Sequence, residues 1–123
     1  MSSKYILAIE TSSSICGAAV IHNKEVLSIE EKDVRRKHAE LLPGLTKASL
    51  NNIKITLDDI DAIAISIGPG SFTGLRIGLG FSKGIAYAKN LPIIPVPSML
   101  SLAYSLREYE PKQGFLHSHA NKV

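Results

Sequence analysis

Apolar and polar positions over the first third of the chain fall in short runs without helical spacing. Tyr5–Glu10 is a mostly apolar run that ends in the polar string Thr11-Ser12-Ser13-Ser14, the pattern of a strand entering a turn. Ile15–His22 predicts a second strand, Asn23-Lys24 a tight reversal, and Glu25–Glu31 a third strand with Val26, Leu27 and Ile29 as its apolar positions. The three form an expected antiparallel meander. The period then changes. Leu41, Leu42, Leu45 and Ala48 predict a helix over residues 39–50, with Pro43 tolerated in or near its first turn and Asn51-Asn52 stopping it.

The second half alternates. Thr56-Leu57-Asp58-Asp59 fits a capped helical turn. Residues 61–67, DAIAISI, predict a buried strand that feeds directly into Gly68–Arg76, GPGSFTGLR. A helix over 74–89, a strand at Ile93–Val96 and a helix from Ser98 to about Glu108 follow. Helices alternating with apolar strands after a meander indicate an α/β fold: a mixed sheet of three antiparallel strands plus parallel strands, with helices on its faces. Gly114–His117, after the Pro111-Lys112 break, reads as a new strand. The expected organisation is therefore one lobe over residues 1–110 and the first strand of a second, truncated lobe over 111–123.

Composition agrees with a packed domain: 123 residues, 45% hydrophobic and 20% charged. The lone Cys16 excludes an intramolecular disulfide and reads as a small buried side chain on a strand. The opening MSSKYILAIETSSS meets Glu10 after a short apolar run, too short for a signal peptide or a membrane span. The expected location is cytoplasmic, with no membrane partner. Net charge is +3, much of it in Arg35-Arg36-Lys37 beside His38. That cluster has no interleaved aromatic residues for stacking bases and reads as a solvated connection.

Chemistry concentrates in two loops and one helix. In GPGSFTGLR the glycines allow close backbone approach, and the helix that follows can turn its N–H groups toward an anion. The run is no P-loop, for G-x-x-x-x-G-K-[ST] is absent, and no dinucleotide fingerprint, for the sixth position counted from Gly68 is Thr73. Two readings stay open: a phosphate loop, or a structural turn with Ser71 or Thr73 as the helix cap. Glu10-Thr11-Ser12 places a carboxylate and hydroxyls at a strand end, as in the first loop of actin-like and hexokinase-like ATPases, or simply forms a polar turn. The candidate nucleotide or phosphate loop is thus Glu10, Thr11, Ser12, Gly68, Gly70, Ser71 and Thr73.

The helix after it holds Gly74, Gly78, Gly80 and Gly84. Each interior glycine costs roughly 1 kcal/mol relative to alanine, so something must offset it. Gly74, Gly78, Ser82 and Ala86 form one row of small side chains; Gly80, Gly84 and Ala88 form another. Such rows admit a close backbone, either the sheet and helix 39–50 or a partner. His38 has Leu42 four residues on, which breaks a two-histidine metal pair, so it reads as a helix cap or surface residue. His117 and His119 lack a third ligand, and no catalytic constellation emerges from the spacing.

Together ILAIETSSS (6–14), RKHAELLP (36–43) and GPGSFTGLRIGLGFSKGIA (68–86) resemble the bacterial TsaB family. The resemblance implies an actin-like, hexokinase-like (ribonuclease H-like) fold of two lobes, of which this is the N-terminal one. The family's Asp-Ala-Arg strand then aligns with His119-Ala120-Asn121. TsaD-type relatives carry H-x-x-x-H; here His38 aligns with the first histidine and Leu42 replaces the second, implying no metal. No cofactor is implied, with weak ATP or ADP binding only alongside a second lobe. The implied role is a non-catalytic dimerisation subunit of the complex that transfers threonylcarbamoyl to the adenosine beside the tRNA anticodon. Its implied partners are a TsaD-type catalytic subunit, a small TsaE-type ATPase, a second copy when alone, and tRNA through the complex. The implied pairing face holds Leu41, Leu45, Ala48, Arg76, Gly78 and Leu79. The alternative is a phosphotransferase or metalloprotease-like enzyme of the same superfamily.

Overall fold

The computed structural model describes residues 4–33 and 35–97. The strands are β1 (Tyr5–Glu10), β2 (Ile15–His22), β3 (Glu25–Asp33), β4 (Ala62–Ser66) and β5 (Ile93–Val96). The helices are α1 (His38–Asn51) and α2 (Phe72–Lys89), with a short 3-10 turn at Leu57–Asp59. The five strands form one sheet in the order β3-β2-β1-β4-β5. The meander is antiparallel, and β4 and β5 join it in parallel. This is the expected mixed α/β sheet.

The hairpin between β2 and β3 turns on Asn23 and Lys24, both in the left-handed region (φ 52° and 68°). A two-residue turn needs that conformation to match the twist of its strands. The register then aligns one apolar face. Leu7 pairs with Val20 and Ile63, and Ile9 with Ala18 and Ile65, and all five larger side chains are buried. Against this face α1 packs on β2 and β3, and α2 on β4, β1 and β5. Leu42, Leu45 and Leu50 of α1 and Ala86 of α2 complete the core.

Several boundaries move for physical reasons. β3 runs on to Asp33 because its ladder with β2 continues to Ile15. α2 starts at Phe72, since the Ser71 hydroxyl accepts the Gly74 N–H at 3.1 Å and caps the helix there. α1 starts at His38, which places Pro43 in its second turn rather than the first. Pro43 cannot donate to the Ala39 carbonyl, but both residues are exposed, so water can reach that oxygen. His38 is no surface residue or cap: it is 6% exposed, and no side chain caps α1. The Thr56 capping box forms as expected. The expected Ser98–Glu108 helix, the Gly114–His117 strand, His119-Ala120-Asn121 and the 111–123 lobe lie outside the described residues.

Lys24 holds a left-handed conformation that costs a non-glycine residue about 1 kcal/mol. Lys24→Gly should therefore raise unfolding free energy by up to about 1 kcal/mol in a urea titration, with no change in far-UV circular dichroism.

Candidate functional site

The β1–β2 turn and the start of α2 meet at the end of β1, which brings the two candidate loops into contact. Thr11 is fully buried and Ser12 is 8% exposed. Thr11 Oγ1 donates to the Gly74 carbonyl at 2.7 Å, and the Ser71 N–H donates to the Ser12 carbonyl at 2.7 Å. The turn thus lies directly on the first turn of α2. Glycine makes that contact possible. A Cβ at Gly70 would overlap the Ser12 carbonyl oxygen, one at Gly74 the Thr11 carbonyl oxygen, and one at Gly78 the Thr11 hydroxyl. Gly68 has a separate reason to be glycine, a φ of 109°.

Glu10 turns back on its own loop. Its Oε2 accepts the Ser12 N–H at 2.8 Å and also the Ser12 hydroxyl. The N–H groups of Ser12, Ser71 and Gly74 therefore all have partners inside the chain. Of the candidate loop, Glu10, Thr11, Ser12, Gly68, Gly70 and Ser71 are brought together, while Thr73 lies exposed beside them. Of the two possible caps, Ser71 is the one used.

α1 reaches the same turn from the other side. His38 Nε2 lies 2.8 Å from the Ser13 carbonyl, an acceptor only, so that nitrogen carries the proton and donates. The His38 carbonyl in turn receives the Cys16 thiol at 3.8 Å. Burial pushes the Cys16 thiol above its ordinary pKa, because a thiolate loses hydration there. Leu42, one turn along from His38, is fully buried in the core. Among the described residues no group of three or more His, Cys, Asp or Glu is placed to hold a metal ion.

The expected pairing residues divide. Leu45 is 6% exposed and belongs to the core, and Gly78 faces Thr11 and Ile65, so neither is open to a partner. The row Gly74, Gly78, Ser82 and Ala86 is the buried side of α2, because the Ser71 cap and the β1–β2 turn fix the helix in that rotation. Leu41, Ala48 and Leu79 are half-buried, and Arg76 is exposed with its guanidinium 5.4 Å from the Phe72 ring centroid. The other glycine row faces out: among the described residues nothing lies within 4 Å of a Cβ at Gly80 or Gly84. Sequence reasoning missed Phe72 and Tyr87, which are 72% and 93% exposed on α2. Their positions off the buried row were the available signal.

Comparison with known proteins now decides the family. A family model described as "TsaD: tRNA N6-adenosine threonylcarbamoyltransferase" matches residues 7–118. The tRNA threonylcarbamoyladenosine biosynthesis protein TsaB of Haemophilus influenzae is 32% identical over 121 residues, covering 96% of this chain and 51% of the relative. The chain belongs to the TsaB family. Another TsaB, from Buchnera aphidicola subsp. Schizaphis graminum, is 38% identical over 112 residues, covering 90% of this chain and 53% of the relative. A solved structure of YeaZ from Pseudomonas aeruginosa superposes with a TM-score of 0.81 at 32% identity, covering 87% of this chain and 50% of that one. The chain spans about half the length of the TsaB relatives it matches. The fold is accordingly the actin-like, ribonuclease H-like lobe of this TsaB-family chain, and among its described residues no helix is long and apolar enough to cross a membrane.

The two glycine rows should respond oppositely to alanine. Gly78→Ala should lower stability by about 1–3 kcal/mol through overpacking on Thr11, whereas Gly84→Ala should raise it by about 1 kcal/mol. Urea unfolding of both variants checks this. Cys16 gives a second check. Its folded pKa lies above the unfolded one, so the unfolded state loses the proton first as pH rises. Stability should hold below the unfolded thiol pKa of about 8.5 and fall above it, an alkaline loss that Cys16→Ala reduces.

Proposed function

We propose that this chain is the N-terminal lobe, residues 1–110, of a non-catalytic pairing subunit in tRNA threonylcarbamoyladenosine synthesis. Its partner is a TsaD-type transferase subunit, and a second copy takes that place when the chain is alone. The complex, which includes a small TsaE-type ATPase, moves threonylcarbamoyl to the adenosine beside the anticodon, and tRNA meets this chain through the complex. The observation that carries the reading is the outward glycine row. Gly80 and Gly84 cost α2 roughly 2 kcal/mol together, and no contact among the described residues requires either of them. A partner backbone crossing α2 closely would supply the compensation. On this reading Leu41, Ala48, Arg76 and Leu79, none of them fully buried, belong to the pairing surface, and the buried Leu45 and Gly78 do not touch the partner.

Two features speak for a supporting role over chemistry. His38 directs Nε2 at a backbone carbonyl, and Leu42 fills the core where a second metal-binding histidine would stand. Glu10 and the N–H groups of Ser12 and Ser71 hold one another and their neighbours, leaving the first loop a structural joint. ATP or ADP binding would be weak and would need a second lobe.

Reconstitution with the TsaD-type and TsaE-type subunits tests the proposal. Modification should require this chain, and Gly84→Leu should weaken pairing at least about tenfold, or ~1.4 kcal/mol, while unfolding stability is retained. Unchanged modification in the absence of the chain would reject the role.

A further inference from the structure

Four of the chain's 14 Lys and Arg residues fall between positions 32 and 37: Lys32, Arg35, Arg36 and Lys37. All four are exposed. Among the described residues the one ion pair is Lys89 with Asp58, so none of the four is matched there by a carboxylate. The nearest acids in sequence are placed elsewhere. Glu31 and Asp33 lie on the opposite face of β3 from Lys32, whose ladder partner Cys16 is buried on the helix side. Glu40 stands in the first turn of α1, where the helix N-terminus attracts a carboxylate. The cluster thus gathers like charges whose repulsion no described ion pair offsets.

The backbone that carries these charges is nonetheless held in place. Arg36 lies in the left-handed region (φ 57°), a conformation that favours glycine over any side chain. Two residues on, the buried His38 ring donates to the Ser13 carbonyl, and the Cys16 thiol meets the His38 carbonyl. Lys32 pairs across the ladder with that same Cys16. β3, the β1–β2 turn and the start of α1 therefore present the four cations together at one end of the lobe. A polyanion gains most from cations that are already unpaired and already positioned. Lys37 also lies one turn before Leu41, whose N–H donates to the Lys37 carbonyl at 3.0 Å, so the two share a side of α1. The cluster accordingly borders the pairing surface proposed above.

Resting on that proposed role, we infer that Lys32, Arg35, Arg36 and Lys37 contact the sugar–phosphate backbone of tRNA held by the partner subunit. A nucleic acid bound on the partner next to the pairing surface reaches the cluster directly. No aromatic residue is interleaved between positions 32 and 37, so the contact neutralises phosphates and does not stack on bases. It strengthens binding of every tRNA alike and reads no sequence.

Fluorescence anisotropy of labelled tRNA tests this, using the complex of the full chain with the TsaD-type subunit at about 50 to about 200 mM salt. Arg35→Ala, Arg36→Ala and Lys37→Ala combined should weaken binding at least about tenfold at the lowest salt. The slope of log affinity against log salt should fall by about two to three, near one for each lost phosphate contact. Arg35→Lys with Arg36→Lys keeps the charges and should keep the slope. Pairing with the TsaD-type subunit and the urea midpoint should stay the same in every variant, which separates a lost contact from a damaged fold. An unchanged salt slope in the triple variant would overturn the inference and leave the pairing role intact. Loss of pairing in that variant would overturn it too, making the cluster a protein contact. A wild-type chain that fails to pair with the TsaD-type subunit would reject the role and this inference together.

Discussion

Everything in this lobe depends on how closely the Thr11–Ser12 backbone lies against α2. Gly70, Gly74 and Gly78 leave no side chain in the way, so a carbonyl, a hydroxyl and an N–H of one element reach those of the other directly. On the opposite side His38 reaches the next residue of the same turn, Ser13. One four-residue turn is thereby tied to both helices, and β1, which leads into it, is the central strand of the sheet. Buried polar groups are costly unless paired, and here the pairing partners come from three separate elements. The turn therefore fixes the rotation of α2 and the position of the start of α1 together.

That rotation determines which side of α2 is available. Eighteen residues with four glycines could present either small row to the sheet. The cap at Ser71 and the bond from Thr11 to Gly74 choose Gly74, Gly78, Ser82 and Ala86 for the inside. The outside then carries Gly80 and Gly84, the exposed rings of Phe72 and Tyr87, and most of the lobe's helical cations. A motif that resembles a phosphate loop thus works as a joint. Its glycines serve a close internal contact, and the helix it starts displays a second set of glycines outward.

The strands were legible because their signal is local. Short apolar runs at Tyr5–Glu10 and Ile15–His22, and a reversal at Asn23-Lys24, depend only on near neighbours. The two glycine rows were equally visible, but their orientation was not. It is set by Thr11, more than sixty residues away in sequence from Gly74. Gly78 was placed on a pairing face for that reason, when it packs inward on Thr11 and Ile65; Leu45 of α1, also placed there, goes into the core. His38 fails the same way: its partner Ser13 is 25 residues distant, and no spacing rule connects them. A groove lined by Leu50, Phe81 and Ile85 had no local signal either, for it arises only when α1, α2 and the segment after α1 assemble.

Amide hydrogen exchange at Ser71 tests the joint most directly. Its N–H belongs to a loop residue but donates to the Ser12 carbonyl at the contact that the glycines permit. If the turn and α2 form one unit, this amide exchanges as slowly as those of Ile63 and Ile65 in β4, through global unfolding. Exchange at the rate of an open loop, with β4 still protected, would contradict the account.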